Sequence, residues 1–185
     1  MKIICLDPGH GMSNRKPLVY DSGAESNGYT EAAIVMEYAN VLRLELVARG
    51  FKVVRTRVDD KDPAPVSRRD DIARAYNAVC MISIHCNAAD GKARGTETFY
   101  RGEDDREFAK VLNASVVKAM GTKDRGVKTE KESQHTSLAV MEFDKCWLIE
   151  LGFIDNPDDR SLMLSSDIRL AVCKALADAI ASKFA

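Results

Sequence analysis

Residues 1–11, MKIICLDPGHG, carry an apolar stretch from Ile3 to Leu6 straight into an acid, a proline and a histidine held between two glycines. Lys2 to Leu6 reads as a buried strand, and Gly9 and Gly11 suit a tight turn where backbone comes close to a bound group. Thr30 to Arg49 places Ile34, Val35, Tyr38, Val41, Leu42 and Leu46 on one helical face and closes at Gly50. Phe51 to Thr56 then reads as a strand. Ser67, three residues before Asp70, resembles a capping box for a helix running to about Ala78, and Val79 to His85 is strand-like. Arg94 to Arg101 is a further strand, Glu107 to Met120 a helix stopped by Gly121, and Leu138 to Met141 and Cys146 to Leu151 are short strands. Asn156-Pro157-Asp158-Asp159 sets a cap, a proline and two acids at the head of a last helix to about Lys183. Strands interleaved with helices predict an α/β fold whose parallel strands are joined by crossovers.

A chain of 185 residues is the size of one domain, and the expected unit is residues 1–185 as a single catalytic domain. Hydrophobic residues at 45% and charged residues at 30% exclude disordered and collagen-like classes. Lys plus Arg at 27 against Asp plus Glu at 28 leaves no basic excess, so nucleic acid is not an expected partner. The opening apolar run is too short for a signal peptide, and no stretch nears the ~20 apolar residues of a membrane helix. Synthesis in a cytoplasm without membrane insertion is the expectation. Cys5, Cys80, Cys86, Cys146 and Cys173 are odd in number and lack CxxC spacing, which predicts reduced, buried thiols.

Ligands of open α/β sheets bind beyond the carboxyl ends of the strands, so the residues at those ends locate the site. The first strand empties into His10, the run from Val79 carries Ser83-Ile84-His85-Cys86-Asn87, and a late strand holds Ile149-Glu150-Leu151-Gly152. Two imidazoles and one carboxylate with an open fourth position are what a catalytic zinc takes. Glu25, Glu31 and Glu37 are the candidates for the acidic ligand. Glu31 is preferred because it opens the first long helix and points back at the strand ends, whereas Glu37 suits a solvated helix face. Asp7 could orient the turn or the imidazole. Cys86 neighbours His85 but points to the other side of its strand. Glu150, among Trp147, Leu148, Ile149, Leu151 and Phe153, is a desolvated acid whose pKa should rise toward that of a base working near neutrality.

LDPGHG at 6–11, the GYTE acid at Glu31, SIHCNA at 83–88 and IELGFIDNP at 149–157 resemble the four motifs of the zinc-dependent N-acetylmuramoyl-L-alanine amidases of type 3. The resemblance extends to Thr56-Arg57 and to Arg125-Gly126-Val127, and runs nearly end to end. It implies a twisted, mostly parallel sheet of about six strands with helices on both faces. It also implies Zn2+ held by His10, Glu31 and His85, Glu150 as the catalytic glutamate, and Asn87 and Arg57 as substrate contacts. His135 falls in a polar stretch that the family uses variably near the substrate. The short, polar segment between Gly11 and Glu31 leaves no room for the autoinhibitory helix of some members.

The implied reaction is hydrolysis of the amide between the lactyl group of N-acetylmuramic acid and L-alanine, with peptidoglycan as partner and degradation of the bacterial cell wall as outcome. A wall substrate and no export signal together suggest an endolysin released from a host cytoplasm, or a domain excised from an exported precursor. The alternatives are a zinc peptidase cutting within the stem peptide and a non-catalytic wall-binding module. Oligomeric state is open, with a monomer the simplest expectation.

Overall fold

A period of two along each strand sends alternate side chains to the two faces of the central sheet. The computed structural model describes residues 1–133 and 138–184. Its strands are β1 (Ile3–Pro8), β2 (Gly11–Met12), β3 (Tyr20–Asp21), β4 (Glu25–Ser26), β5 (Tyr29–Thr30), β6 (Lys52–Arg55), β7 (Cys80–Asn87), β8 (Thr96–Tyr100), β9 (Asp124–Thr129) and β10 (Cys146–Phe153). Its helices are α1 (Glu31–Ala48), α2 (Arg69–Ala75), α3 (Arg106–Met120), α4 (Pro157–Leu164) and α5 (Ser166–Phe184). A six-stranded sheet has the order β6-β1-β7-β10-β8-β9, parallel at every pairing except β10 with β8. The remaining strands form two short ladders, β2 with β3 and β4 with β5, in the segment between His10 and α1.

One face of the sheet presents Leu6, Ile82, Ile84, Ile149 and Leu151 to Ile34, Val35 and Leu42 of α1, Leu112 and Val116 of α3, and Leu176 and Ile180 of α5. Full burial of each such side chain stabilises the fold by roughly 1.5–3 kcal/mol. The other face presents Cys5, Met81, Phe99 and Leu148 to Ala73 of α2 and to Val140 and Met141. Toward the carboxyl ends of the strands this second face turns polar, carrying Asp7, Ser83, His85 and Glu150. From β1 the chain crosses through α1 to β6, then returns through α2 to β7 on the other side of β1. The order therefore reverses between β1 and β7, which is where an α/β sheet opens a crevice.

Local chemistry sets the element ends. The Thr30 hydroxyl accepts the Ala33 N–H at 3.3 Å and starts α1, which stops before Gly50 in a left-handed conformation (φ 86°). The Asn156 side chain accepts the N–H groups of Asp158 and Asp159, with Pro157 at the first position of α4. Asp159 in turn accepts from Gly95 N at 2.7 Å and Phe153 N at 2.9 Å, tying the start of β8 to the end of β10.

Three local expectations are corrected, and one strand was unforeseen. Leu138 to Met141 is no strand: Ala139–Glu142 forms a 3₁₀ turn, because β10 already has β7 and β8 on its two edges and the run lies over the sheet face instead. Ser67 caps nothing. A 3₁₀ turn, Val66–Arg68, leads into α2 without a side-chain cap bond, and Asp70 pairs with Arg74. The expected last helix is two, broken at Ser165, whose backbone is extended (ψ 123°). Asp124–Thr129 is an unforeseen edge strand, its charged sequence and Gly126 (φ 80°) hiding the alternation of a strand. All five cysteines are free and buried, as expected. Among the described residues, no helix is long and apolar enough to cross a membrane.

Candidate active site

His10 leaves β1 in a left-handed conformation (φ 62°), which a residue bearing a Cβ holds only when its surroundings fix it. Two buried arginines do so. Arg69 donates through Nη2 to the His10 carbonyl at 2.6 Å, the Ala64 carbonyl at 3.0 Å and Asn14 Oδ1 at 3.1 Å. Its Nη1 donates to the Pro8 carbonyl at 3.0 Å and to Asp7 Oδ1 at 2.6 Å. Arg57 donates to the carbonyls of Pro8 at 3.0 Å, Gly9 at 2.8 Å and Ala32 at 2.8 Å, fastening the histidine loop to the head of α1.

Arg57, expected to touch substrate, is corrected by that geometry: it is 0% exposed and its donors are spent on the backbone and Asp60. Of the two parts expected of Asp7, the turn or the imidazole, it takes the turn, through Arg69. It bonds neither imidazole, accepting instead from Thr56 Oγ1 and Ser83 Oγ at 2.6 Å each and from Arg69. Burial pushes its carboxyl up, but Arg69, Ser83 and Thr56 outweigh burial and hold it below the usual range.

Glu31 comes in from α1 between the two histidines. His10 Nε2 lies 3.0 Å from Glu31 Oε2 and His85 Nδ1 2.9 Å from Oε1, and donor atoms of the three residues all fall within 4.8 Å of one another. The carboxylate is steered by the N–H of Ala24 at 3.0 Å on Oε2 and of Cys86 at 2.9 Å on Oε1. Burial raises its pKa, yet His10 and His85 outweigh burial and keep it well below the ordinary carboxylate value. For His10, burial lowers the pKa while the carboxylates of Glu31 and then Asp21 raise it further, giving a net rise. Asp21 Oδ2 stands 3.2 Å from His10 Nδ1, at ion-pair distance but outside hydrogen-bond geometry. Neither Glu25 nor Glu37 belongs to the cluster.

The glycines around it have no spare room. A Cβ on Gly9 would overlap the His85 imidazole, and one on Gly23 would come within 2.6 Å of Glu31 Oε2 and 2.7 Å of His10 Cδ2. Two imidazoles, one carboxylate and space kept clear by glycine fit a divalent metal ion. The Cys86 thiol is buried on the apolar face of β7, and burial, then Glu31 and Glu150, push its pKa well above the ordinary value. It stays an unreactive core thiol.

Glu150 is the register partner of His85 across the parallel β7–β10 pair, so the two side chains share the polar face. Its Oε2 is buried without a hydrogen-bond partner among the described residues. Burial first, then the like charges of Glu31 and Glu97, push its carboxyl well above the usual value. Asn87 lines the same cleft, donating through Nδ2 to Glu97 Oε1 at 2.8 Å. The cleft, about 900 Å³, runs from His10 and Glu31 past Glu150 to Arg125 and Lys128. His135 lies outside the described residues.

Sequence reading missed Arg69, Gly23, Asp21 and Glu97. Glu97 had a signal, an acid in mid-strand two residues from Phe99 and hence on the same face. Arg69, in a charged run reading as a helix surface, had none.

An open cleft at the switch point, holding a convergent donor set beside an unpaired carboxyl, is that of a hydrolytic α/β enzyme suited to a divalent ion. The family model for N-acetylmuramoyl-L-alanine amidase matches residues 4–182, and the chain belongs to that family of enzymes. It is 31% identical to the uncharacterized protein YqiI of Bacillus subtilis (strain 168), over 99% of this chain and 85% of YqiI. Identity to the N-acetylmuramoyl-L-alanine amidase LytC of the same organism is 29%, over 98% of this chain but 35% of LytC, so the chain spans about a third of that protein. The solved catalytic domain of CwlV, an N-acetylmuramoyl-L-alanine amidase from Bacillus (Paenibacillus) polymyxa var. colistinus, superimposes with a TM-score of 0.86 at 26% identity, covering 99% of this chain and 98% of that domain.

Proposed function

We propose that this chain hydrolyses the amide joining the lactyl group of N-acetylmuramic acid to L-alanine in peptidoglycan, with zinc held by His10, Glu31 and His85. One observation carries the reading: the three donors converge beside Glu150 Oε2, a buried oxygen with no partner of its own among the described residues. A divalent ion in that set, zinc by its preference for nitrogen and carboxylate donors, supplies Lewis acidity toward the amide carbonyl and lowers the pKa of water to ~7.

Glu150 does the proton work. Its raised proton affinity suits Oε2 to take the proton of the attacking water and return it to the departing alanine nitrogen, without which an amine leaves poorly. Glu31, kept ionised by its two histidines, supplies the charge of the donor set. Arg57 and Arg69 hold the His10 loop so that the donors stay assembled.

Digestion of purified sacculi with mass identification of products tests this, before chelation, after it and after zinc is returned. The expected products are muramoyl glycans with a free lactyl carboxylate and peptides with a new amino-terminal alanine, lost on chelation and restored by zinc. New termini at other residues would replace the reading with a stem-peptide peptidase, and binding without turnover by zinc-loaded protein with a wall-binding module.

A further inference from the structure

The wall of the cleft opposite His10 carries a second charged cluster that the hydrolytic step does not use. Glu97, 3% exposed on β8, accepts from Asn87 Nδ2 at 2.8 Å, Arg125 Nε at 2.8 Å and Lys128 Nζ at 2.6 Å. It is the register partner of Glu150 across the antiparallel β8–β10 pair, as Glu150 is of His85 on the other side. The three side chains therefore stand in one row on the cleft face, one strand apart.

One cation is enough to neutralise a buried acid, and Glu97 has two. The cluster of one carboxylate and two cations keeps a formal charge of +1 beside Glu150. Glu132, which also lines this wall, turns Oε2 to Thr129 N at 2.8 Å and Thr129 Oγ1 at 2.9 Å and keeps its negative charge, so what marks this wall is the N–H donors that Arg125 and Lys128 leave unused and not a net charge. The Arg125 guanidinium is fixed in plane by its Nε bond to Glu97 and by stacking with Cζ 4.8 Å from the Phe153 ring centroid. Its Nη1 and Nη2 edge has no partner among the described residues, and Lys128 keeps two of its three N–H donors. Both side chains are 29% exposed and line the cleft. A guanidinium edge held in place presents the parallel pair of donors that a carboxylate accepts best.

We propose that Arg125 and Lys128, held by Glu97, form a specificity subsite for a free carboxylate on the peptide side of the scissile amide. The inference rests on the amidase reading and deepens it. Chains of N-acetylated sugars are uncharged along their backbone, whereas the stem peptide carries free carboxylates, so cationic donors left unused on β9, two strands from Glu150, select the peptide.

Two muramoyl dipeptides test it, one ending in a free carboxylate on the residue after alanine and one with that carboxylate converted to the amide. The zinc-loaded protein is expected to favour the free acid by about 10–100-fold in kcat/KM. Arg125→Gln should bring that ratio to within about threefold of one, with Lys128→Met between. A ratio is insensitive to how much of a variant is folded. Calorimetry with the two corresponding free dipeptides reads the same preference without turnover, so a protein that cleaves neither muramoyl compound would overturn the amidase reading while binding still decides the subsite. A ratio near one in the unsubstituted chain, or one unchanged by Arg125→Gln, would overturn the subsite.

Discussion

Arg57 and Arg69 behind one wall of the cleft and Arg125 on the other offer the same guanidinium chemistry and use it in opposite directions. The first two are 0% and 2% exposed and point their donors inward, at backbone carbonyls that set the path of the His10 loop. Arg125 gives one donor to Glu97 and keeps its outer edge toward the cleft. One wall is a mould for the metal donors, the other a surface for a substrate. The difference lies in burial and not in residue type.

The largest effect should arise between the walls. Glu150→Gln is expected to lower turnover on sacculi by about 100–10,000-fold while the zinc content, read by elemental analysis, is retained. The same change should raise the thermal midpoint of the metal-free protein at pH 7. Its folded-state pKa lies above the unfolded one, so ionising Glu150 costs stability once pH rises past the ordinary carboxyl range, and the amide removes that cost. A variant that keeps its activity would take Glu150 out of the mechanism.

On the mould wall, Arg69→Met should cost about 3–5 kcal/mol in urea unfolding, because it strands the buried Asp7 carboxylate. Zinc affinity should fall with it, since the His10 carbonyl loses its 2.6 Å donor. A loss within ~1 kcal/mol would put Arg69 in the same class as Arg125 and erase the contrast between the walls.

Acid sharpens the same contrast. The folded-state pKa of Asp7 is depressed, so its contribution is present above the unfolded value near ~3.9 and is lost as pH falls through the lower folded value. Urea midpoints followed downward from pH 5 should therefore drop more steeply for the unsubstituted chain than for Asp7→Asn. Parallel curves would mean that Asp7 is not ionised in the folded state.

The strand ends were legible in sequence because the apolar runs stop abruptly at groups that a core rejects. His10, His85 and Glu150 each stand where a buried strand meets polar chemistry, and Glu31 comes directly after a helix-capping threonine. Arg57 was misread because a motif fixes a position along the chain but not the side of a loop on which a guanidinium lies. Only the tertiary path of residues 8–10 turns it inward. Asp124–Thr129 was illegible for a related reason: an edge strand with one neighbour tolerates charge and a glycine, so no alternation marks it.

The smallest expected effect tests whether the second cation on Glu97 is truly surplus. Arg125→Gln leaves Lys128 Nζ on Glu97 Oε2 at 2.6 Å, and Lys128→Met leaves Arg125 Nε there at 2.8 Å, so each single change should cost no more than about 1 kcal/mol. Removing both strands a carboxylate that is 3% exposed, and the loss should climb to about 3–5 kcal/mol, well beyond the sum of the singles. That excess in a double-mutant cycle of urea midpoints is the signature of two cations sharing one anion. Single changes that each already cost about 3–5 kcal/mol would mean that both cations are needed to hold Glu97, leaving no spare donor for a substrate and making this wall a mould like the other.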